Sequence, residues 1–130
     1  MIYEIGVPPG VNALCSLRES VGWDRADADY PPAFDAYATC VTACTTGGEL
    51  VGWCAALSDG VRHGFLLDLI VSPTWQRRGI GRGLVERAIR GLKQRGVSVV
   101  HADFAPAHAE FYRRCGFEPS SAGIRTVVGE

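Results

Sequence analysis

Three places in this 130-residue chain carry residue types that could do chemistry. They are a Gly- and Arg-rich segment, an aspartate inside an apolar run, and a tyrosine among phenylalanines. The first is Val71-Ser72-Pro73-Thr74-Trp75-Gln76-Arg77-Arg78-Gly79-Ile80-Gly81. It follows the apolar run Phe65 to Val71 and opens the amphipathic stretch Ile80 to Arg95, a pattern that predicts strand, tight turn, helix. The first N–H groups of such a helix have no intrahelical acceptor. Together with the positive end of the helix dipole they suit an anion such as a pyrophosphate. Gly79 and Gly81 let phosphates approach the backbone because no Cβ intervenes, and Arg77, Arg78 and Arg82 add positive charge. Asp68 interrupts Phe65-Leu66-Leu67-Asp68-Leu69, where a carboxylate is costly unless it is paired or faces a cavity. Strand alternation points it opposite to Leu67 and Leu69. It reads either as a proton acceptor or as a solvent-facing or helix-pairing aspartate. Tyr112 is a phenol, protonated at neutral pH; it reads as a proton donor or as a packing residue beside Phe111 and Phe117. His101 titrates in the useful range and Asp103 follows it, yet a lone strand histidine is commonly structural. His63 and His108 read as surface residues.

The spacing narrows the first motif. No Gly-Lys-Ser/Thr follows, so it is not a nucleotide P-loop. Leu84 stands where the third glycine of a dinucleotide fingerprint would be. Gln-x-x-Gly-x-Gly after a strand ending in valine resembles the coenzyme A pyrophosphate loop of the GNAT superfamily of N-acetyltransferases. Further on, Ala109-Glu110-Phe111-Tyr112-Arg113-Arg114-Cys115-Gly116-Phe117 is similar to the Phe-Tyr-x-x-x-Gly-Phe end of that superfamily's last helix. Order and separation both match. The resemblance spans Thr39 to Phe117 well and the first 38 residues more loosely, where Ser20-Val21-Gly22-Trp23 looks like a segment of some small bacterial members.

The resemblance implies an α/β GNAT fold and transfer of an acetyl group from acetyl-CoA to a primary amine by direct attack on the thioester. It implies that Gln76, Arg77, Arg78, Gly79, Ile80, Gly81 and Arg82 hold the pyrophosphate. It further implies that the strand at 69–71 splays from the strand at 97–102, so that Leu69, Ile70 and Val71 pair with the pantetheine arm as an added strand would. One of their N–H groups would donate to the thioester oxygen. Tyr112 would be the general acid to the leaving thiolate, and Asp68 the general base, directly or through water. Many members carry an asparagine about seven residues before the tyrosine. Here that place is Ala105, followed by Pro106, so the pantetheine grip differs there. The segment Ser20 to Tyr37 would line the acceptor side. Its Trp23, Tyr30, Phe34 and Tyr37, with Asp24, Asp27, Asp29 and Asp35, suit a small cationic amine, a protein lysine or an N-terminus; these aromatics read equally well as loop anchors. A non-catalytic acyl-CoA-binding sensor or partner module is the other reading of the same motifs.

Composition and charge fit one domain over residues 1–130. A chain of this length buries about two-thirds of its unfolded surface. Residues 1–72 hold three arginines against nine acids, a charge of −6; residues 73–118 hold nine basic residues against four acids, a charge of +5. The basic half suits a phosphate-rich cofactor and the acidic half a cationic acceptor, or the division is solubility patterning. The basic half lacks the interleaved aromatics of a nucleic-acid platform. The five cysteines (Cys15, Cys40, Cys44, Cys54, Cys115) have no metal-ligand spacing and read as small core residues in a reducing compartment. No signal peptide and no membrane-length apolar run is visible. A cytoplasmic protein without metal is expected.

The elements that must position these residues follow from pattern. A short strand runs Ile2 to Gly6, and Val11, Leu14, Leu17 and Val21 mark a helix over 11–21. Pro31-Pro32 starts a short helix through Ala38. Strands are expected at 39–46, 49–58 and 63–71, with turns at Gly47-Gly48 and Asp59-Gly60. Ile80, Leu84, Ala88 and Leu92, widened by Val85 and Ile89, form the stripe of the long helix. A buried strand is expected at Val97 to Ala102, a helix at Pro106 to Cys115, and a terminal strand at Ile124 to Val128. This β-α-α-β-β-β-α-β-α-β order predicts a mixed, mostly antiparallel sheet with helices on both faces and a short C-terminal arm. An edge left open by that arm suggests a homodimer.

Overall fold

In the computed structural model, which describes residues 1–128, five strands pair in chain order. They are β1 (Ile2–Ile5), β2 (Thr39–Cys44), β3 (Leu50–Ser58), β4 (His63–Val71) and β5 (Val99–Ala102). The first four are antiparallel neighbours, and β4 with β5 is parallel. A parallel pair needs a crossover connection, and α3 (Ile80–Gln94) supplies it. Helices α1 (Val11–Ser20) and α2 (Pro32–Ala36) lie between β1 and β2, and α4 (Ala109–Arg114) follows β5.

Two apolar clusters place the helices on opposite faces. The stripe of α3 (Ile80, Leu84, Val85, Ala88, Leu92) packs on Val41, Ala43, Val51, Cys54, Ala56 and Leu66, with Phe111 and Cys115 joining at the edge. Emptying a fully buried leucine position such as Leu84 or Leu92 costs about 2–5 kcal/mol. On the other face α1 contributes Leu14, Cys15 and Leu17, which pack with Tyr30, Cys40, Trp53, Ala55 and Ile70. A ten-residue helix without a side-chain cap is marginal alone, so this apolar face holds α1 in place. The mixed sheet covered on both faces agrees with the sequence pattern.

Three expectations change. The strand after α3 begins at Val99 and is half-buried; Val97 is the buried residue and precedes it. The last helix opens as a 3-10 turn over Pro106–His108, where Pro106 supplies no donor and fits the first turn. The expected strand at Ile124–Val128 is not formed: Ile124, Val127 and Val128 are 77–79% exposed. Strand propensity expresses fit to a half-buried pleated surface, and this segment lies on none.

Candidate active site

The segment between β4 and α3 is built to leave donors open. Pro73–Trp75 forms a 3-10 turn, and Gln76 turns its side chain back so that Nε2 donates to the Val71 carbonyl at 2.9 Å. Arg77 and Gly79 both take left-handed backbone angles, with φ of 62° and 82°. Gly79 is the N-cap residue and offers α3 no side-chain cap. After Gln76, whose amide donates to the Pro73 carbonyl at 3.4 Å, the next amide to find a backbone acceptor is Gly83, which donates to the Gly79 carbonyl at 3.0 Å. The amides of Arg77 to Arg82 have no recorded acceptor among the described residues. Successive amides turned into one concavity make an anion nest. Arg78 lies over the Trp75 ring at 4.7 Å, and Arg77 and Arg82 are exposed beside it. Gly79 is needed for its backbone angle. Gly81 has a further reason besides the one its motif suggests: a Cβ there would sit 3.2 Å from the Phe111 ring. Its bare backbone lets α4 pack against the start of α3.

Next to this loop, β4 and β5 part. Their pairing runs from His63↔Val99 to Leu66↔Ala102 and stops. From Leu67 to Val71, β4 continues with no strand on that side, so Leu69, Ile70 and Val71 border an open wedge. Within it β4 is bulged. Trp53 pairs with Ile70 and Ala55 with Leu67, so Cys54 faces both Asp68 and Leu69. Asp68 takes φ of 54°, a left-handed angle that aspartate accepts more readily than most residues. The alternation expected at Asp68 is therefore broken. Leu67 packs in the α1-side cluster and Leu69 in the α3-side cluster, so they do not share a face.

Tyr112 stands on α4, with Cys54, the β3 residue opposite the bulge, among its neighbours. It is 8% exposed, stacks on Phe104 with centroids 4.3 Å apart, and meets Phe111 and Phe117 edge-on. Its hydroxyl pairs with no described residue. Burial, with Cys54, Cys115 and Asp103 nearby, pushes its pKa up to about 12. Cys54 is buried and its thiol is likewise pushed up to about 12, first by burial and then by Asp68. Cys54 thus has Asp68 and Tyr112 as electrostatic neighbours.

A family model for the GNAT acetyltransferases matches residues 11–117. This chain belongs to the GNAT acetyltransferase family. A histone acetyltransferase of Glycine max is 29% identical over 96% of this chain and 59% of its own length. A chloroplastic serotonin N-acetyltransferase of Oryza sativa subsp. japonica is 33% identical over 67% of this chain and 44% of its own length. The chain thus spans about half the length of these two relatives. A GNAT-family acetyltransferase of Streptococcus pneumoniae superposes with a TM-score of 0.78 at 25% identity, covering 99% of this chain and 98% of that one.

On the α1 face of this GNAT sheet the bulge meets a mixed aromatic and charged cluster. Phe34 stacks on Tyr30 at 5.1 Å, and Phe34 and Tyr37 both lie 6.0 Å from the Trp53 ring. Tyr30, Phe34 and Tyr37 therefore anchor the 30–37 segment to the sheet, while Trp23 stays largely exposed. Trp53 is fully buried and its indole N–H has no partner among the described residues. Asp68 also points here: Oδ2 lies 3.7 Å from a guanidinium nitrogen of Arg18 on α1. Burial raises the Asp68 pKa from its ordinary value, Arg18 opposes that, and Asp29 reinforces it. Asp27 pairs with Arg25 instead, and burial of the pair's surroundings is outweighed by that bond, so its pKa is lowered. Arg18 and Trp53 were not foreseen. A signal for Arg18 exists: it lies one turn beyond Leu14 and Cys15, on the buried stripe.

The other titratable candidates lie apart. His101 Nε2 is 3.0 Å from His63 Nδ1, and its ring stacks on Phe65 at 4.7 Å, toward the start of β4. His63 is partly buried rather than fully exposed, and His108 is exposed. Ala105, exposed before the 3-10 turn, offers no side-chain amide. All five cysteines are free and four are buried. No group of three metal-ligating side chains is present among the described residues. No described helix is long and apolar enough to cross a membrane.

Proposed function

We propose that this protein transfers the acetyl group of acetyl-CoA to a primary amine by direct attack on the thioester. The observation that carries the reading is the parting of β4 and β5 directly beside an uncapped helix N-terminus, with Tyr112 on α4 near Cys54. The open amides of 77–82 and the three arginines fit a pyrophosphate. The free edge of Leu69 to Val71 fits an extended amide chain. Bound there, acetyl-CoA supplies the acetyl group as an activated thioester.

Asp68 takes the proton that the amine releases, directly or through a water. The neutral amine nitrogen then bonds to the acyl carbon, the carbon–sulfur bond breaks, and the second proton of the former ammonium leaves to solvent by way of the same carboxylate. A backbone N–H of the Leu69–Val71 edge donates to the carbonyl oxygen as charge develops there. Tyr112 gives its proton to the departing sulfur, and solvent restores both groups to their starting states. The acceptor enters from the α1 face, where aromatic rings and the carboxylates Asp29 and Asp68 suit a cationic amine. The names of the relatives, one acting on histone and one on serotonin, support both a protein lysine and an arylalkylamine as members of a test panel. The five free thiols support a reducing compartment such as the cytoplasm. The outer edge of β5, which pairs with no strand among the described residues, supports a homodimer, for which a concentration-independent monomer in sedimentation would be contrary.

The test is calorimetric titration with acetyl-CoA, then a thiol-release assay with serotonin, a polyamine and a lysine peptide. Micromolar binding and amine-dependent thiol release are expected. Binding without release for any amine would instead favour a non-catalytic acyl-CoA-binding module. No binding would overturn both readings.

A further inference from the structure

Among the described residues Arg18 is the one cation paired with Asp68, and its side chain is only 12% exposed. Two of its nitrogens are held by Asp24, and the third, which reaches Tyr30, is also the one nearest Asp68. Nε donates to the Asp24 carbonyl at 2.7 Å, one terminal nitrogen to Asp24 Oδ1 at 3.2 Å and the other to the Tyr30 hydroxyl at 3.4 Å. The guanidinium also lies 5.3 Å from the centre of the Trp23 ring. Asp68, 35% exposed, stands 3.7 Å away. That is close enough for strong attraction but too long for a hydrogen bond. No described residue donates a hydrogen bond to the Asp68 carboxylate, so its lone pairs are free beside a fixed positive charge.

We propose that Arg18 is a positioning residue of the acceptor site: held by Asp24, Tyr30 and Trp23, it fixes the Asp68 carboxylate by charge alone and leaves its oxygens open to the acceptor's ammonium. This rests on the acetyltransferase reading above. The geometry explains the asymmetry. A guanidinium bonded in a fork to Asp68 would occupy the lone pairs that the amine needs. An absent guanidinium would leave a half-buried carboxylate with the like charge of Asp29 acting on it, which favours the protonated form. Arg18 standing off at 3.7 Å avoids both. The other groups facing Asp68 are the phenols of Tyr30 and Tyr37 and the thiol of Cys54, all neutral at ordinary pH because burial raises each one. Among the described residues Arg18 is therefore the cation that acts on it in this cluster.

The experiment follows the Asp68 carboxyl carbon by NMR across pH in the full chain, with the resonance assigned by its loss in Asp68→Asn. Arg18→Met should raise the titration midpoint by roughly one pH unit, the low end for a carboxylate losing a nearby cation because part of Asp68 faces solvent. Arg18→Lys should restore most of that shift. Asp24→Asn alters an exposed residue and carries little folding risk. It removes the charge of one anchor while the Asp24 backbone carbonyl still holds Nε, so the guanidinium is drawn more strongly to Asp68 and the midpoint should fall. An unmoved midpoint in both Arg18→Met and Asp24→Asn, with acetyl-CoA binding retained, would overturn the proposal. If the midpoints move as stated but Asp68→Asn leaves the acid limb of turnover in place, the arrangement around Arg18 stands and the general-base role of Asp68 falls.

Discussion

At the scale of single residues, Tyr112 and Asp68 differ in how their environments act on a proton. Burial raises both, yet the consequence is opposite for each role. Tyr112, pushed up to about 12, stays protonated through neutral and mildly basic pH, as a general acid requires. Asp68, raised above its ordinary value by burial, must lose its proton before it can accept one. Turnover is therefore expected to rise with pH through a limb above the ordinary carboxylate range, and to show no alkaline fall from Tyr112 at mildly basic pH. Tyr112→Phe should lower kcat by about ten- to a thousand-fold while calorimetry shows acetyl-CoA binding preserved. Unchanged kcat in that variant would leave the tyrosine as packing beside Phe104, Phe111 and Phe117. The sequence made both residues visible for reasons that partly differ from their structural ones. Tyr112 stood in a motif, and the structure buries it among Phe104, Phe111 and Phe117. Asp68 stood out as a charge in an apolar run, but alternation did not place it. The bulge did, and a bulge depends on the register between β3 and β4, which no local pattern encodes. Arg18 escaped notice because its partner is on a different element, brought near only when α1 packs on β4.

At the scale of elements, two glycines of one motif do separate work. Gly79 holds φ at 82° and has open space where a Cβ would be, so it serves the loop. Gly81 has ordinary backbone and Phe111 at 3.2 Å from its absent Cβ, so it serves the contact between α3 and α4. Adding a methyl group should therefore have different consequences at the two positions. Gly79→Ala forces a left-handed alanine, a strain of roughly 1–2 kcal/mol. It should lower stability and weaken acetyl-CoA binding as the nest relaxes. Gly81→Ala pushes against Phe111, whose neighbour in sequence is Tyr112, and should lower kcat more than it lowers cofactor affinity. Calorimetry and steady-state kinetics on both variants check this; equal loss of affinity in the two, with kcat untouched, would mean the motif acts as a single unit. The strand-turn-helix around these glycines was legible from hydrophobic periodicity, as were the meander and the stripe of α3. Element ends without such punctuation were not. The Ile124–Val128 stretch has strand-like residues, yet strand formation needs a partner edge, and that is a property of tertiary structure.

At the scale of the whole molecule, charge is divided along the chain, −6 before residue 73 and +5 from there to residue 118. The fold turns that division into two faces of one site. Asp24, Asp29 and Asp68 collect on the α1 side, where the acceptor is proposed to enter. Arg77, Arg78 and Arg82 collect at the start of α3, where the pyrophosphate is proposed to sit. Fields of opposite sign on the two sides would draw an anionic cofactor and a cationic acceptor to their own entrances. Such steering is sensitive to salt, since the Debye length falls from about 30 Å at 0.01 M to about 3 Å at 1 M. Raising salt over that range should weaken acetyl-CoA binding and raise the KM for a cationic amine. The double variant Arg78→Glu with Arg82→Glu should weaken cofactor binding and flatten its salt dependence, while leaving the salt dependence of the amine KM intact, because these arginines lie at the cofactor side. A cofactor affinity indifferent to salt in the unmodified protein would mean that the backbone amides of residues 77–82 alone supply the grip, and that the basic half of the chain plays no part in it.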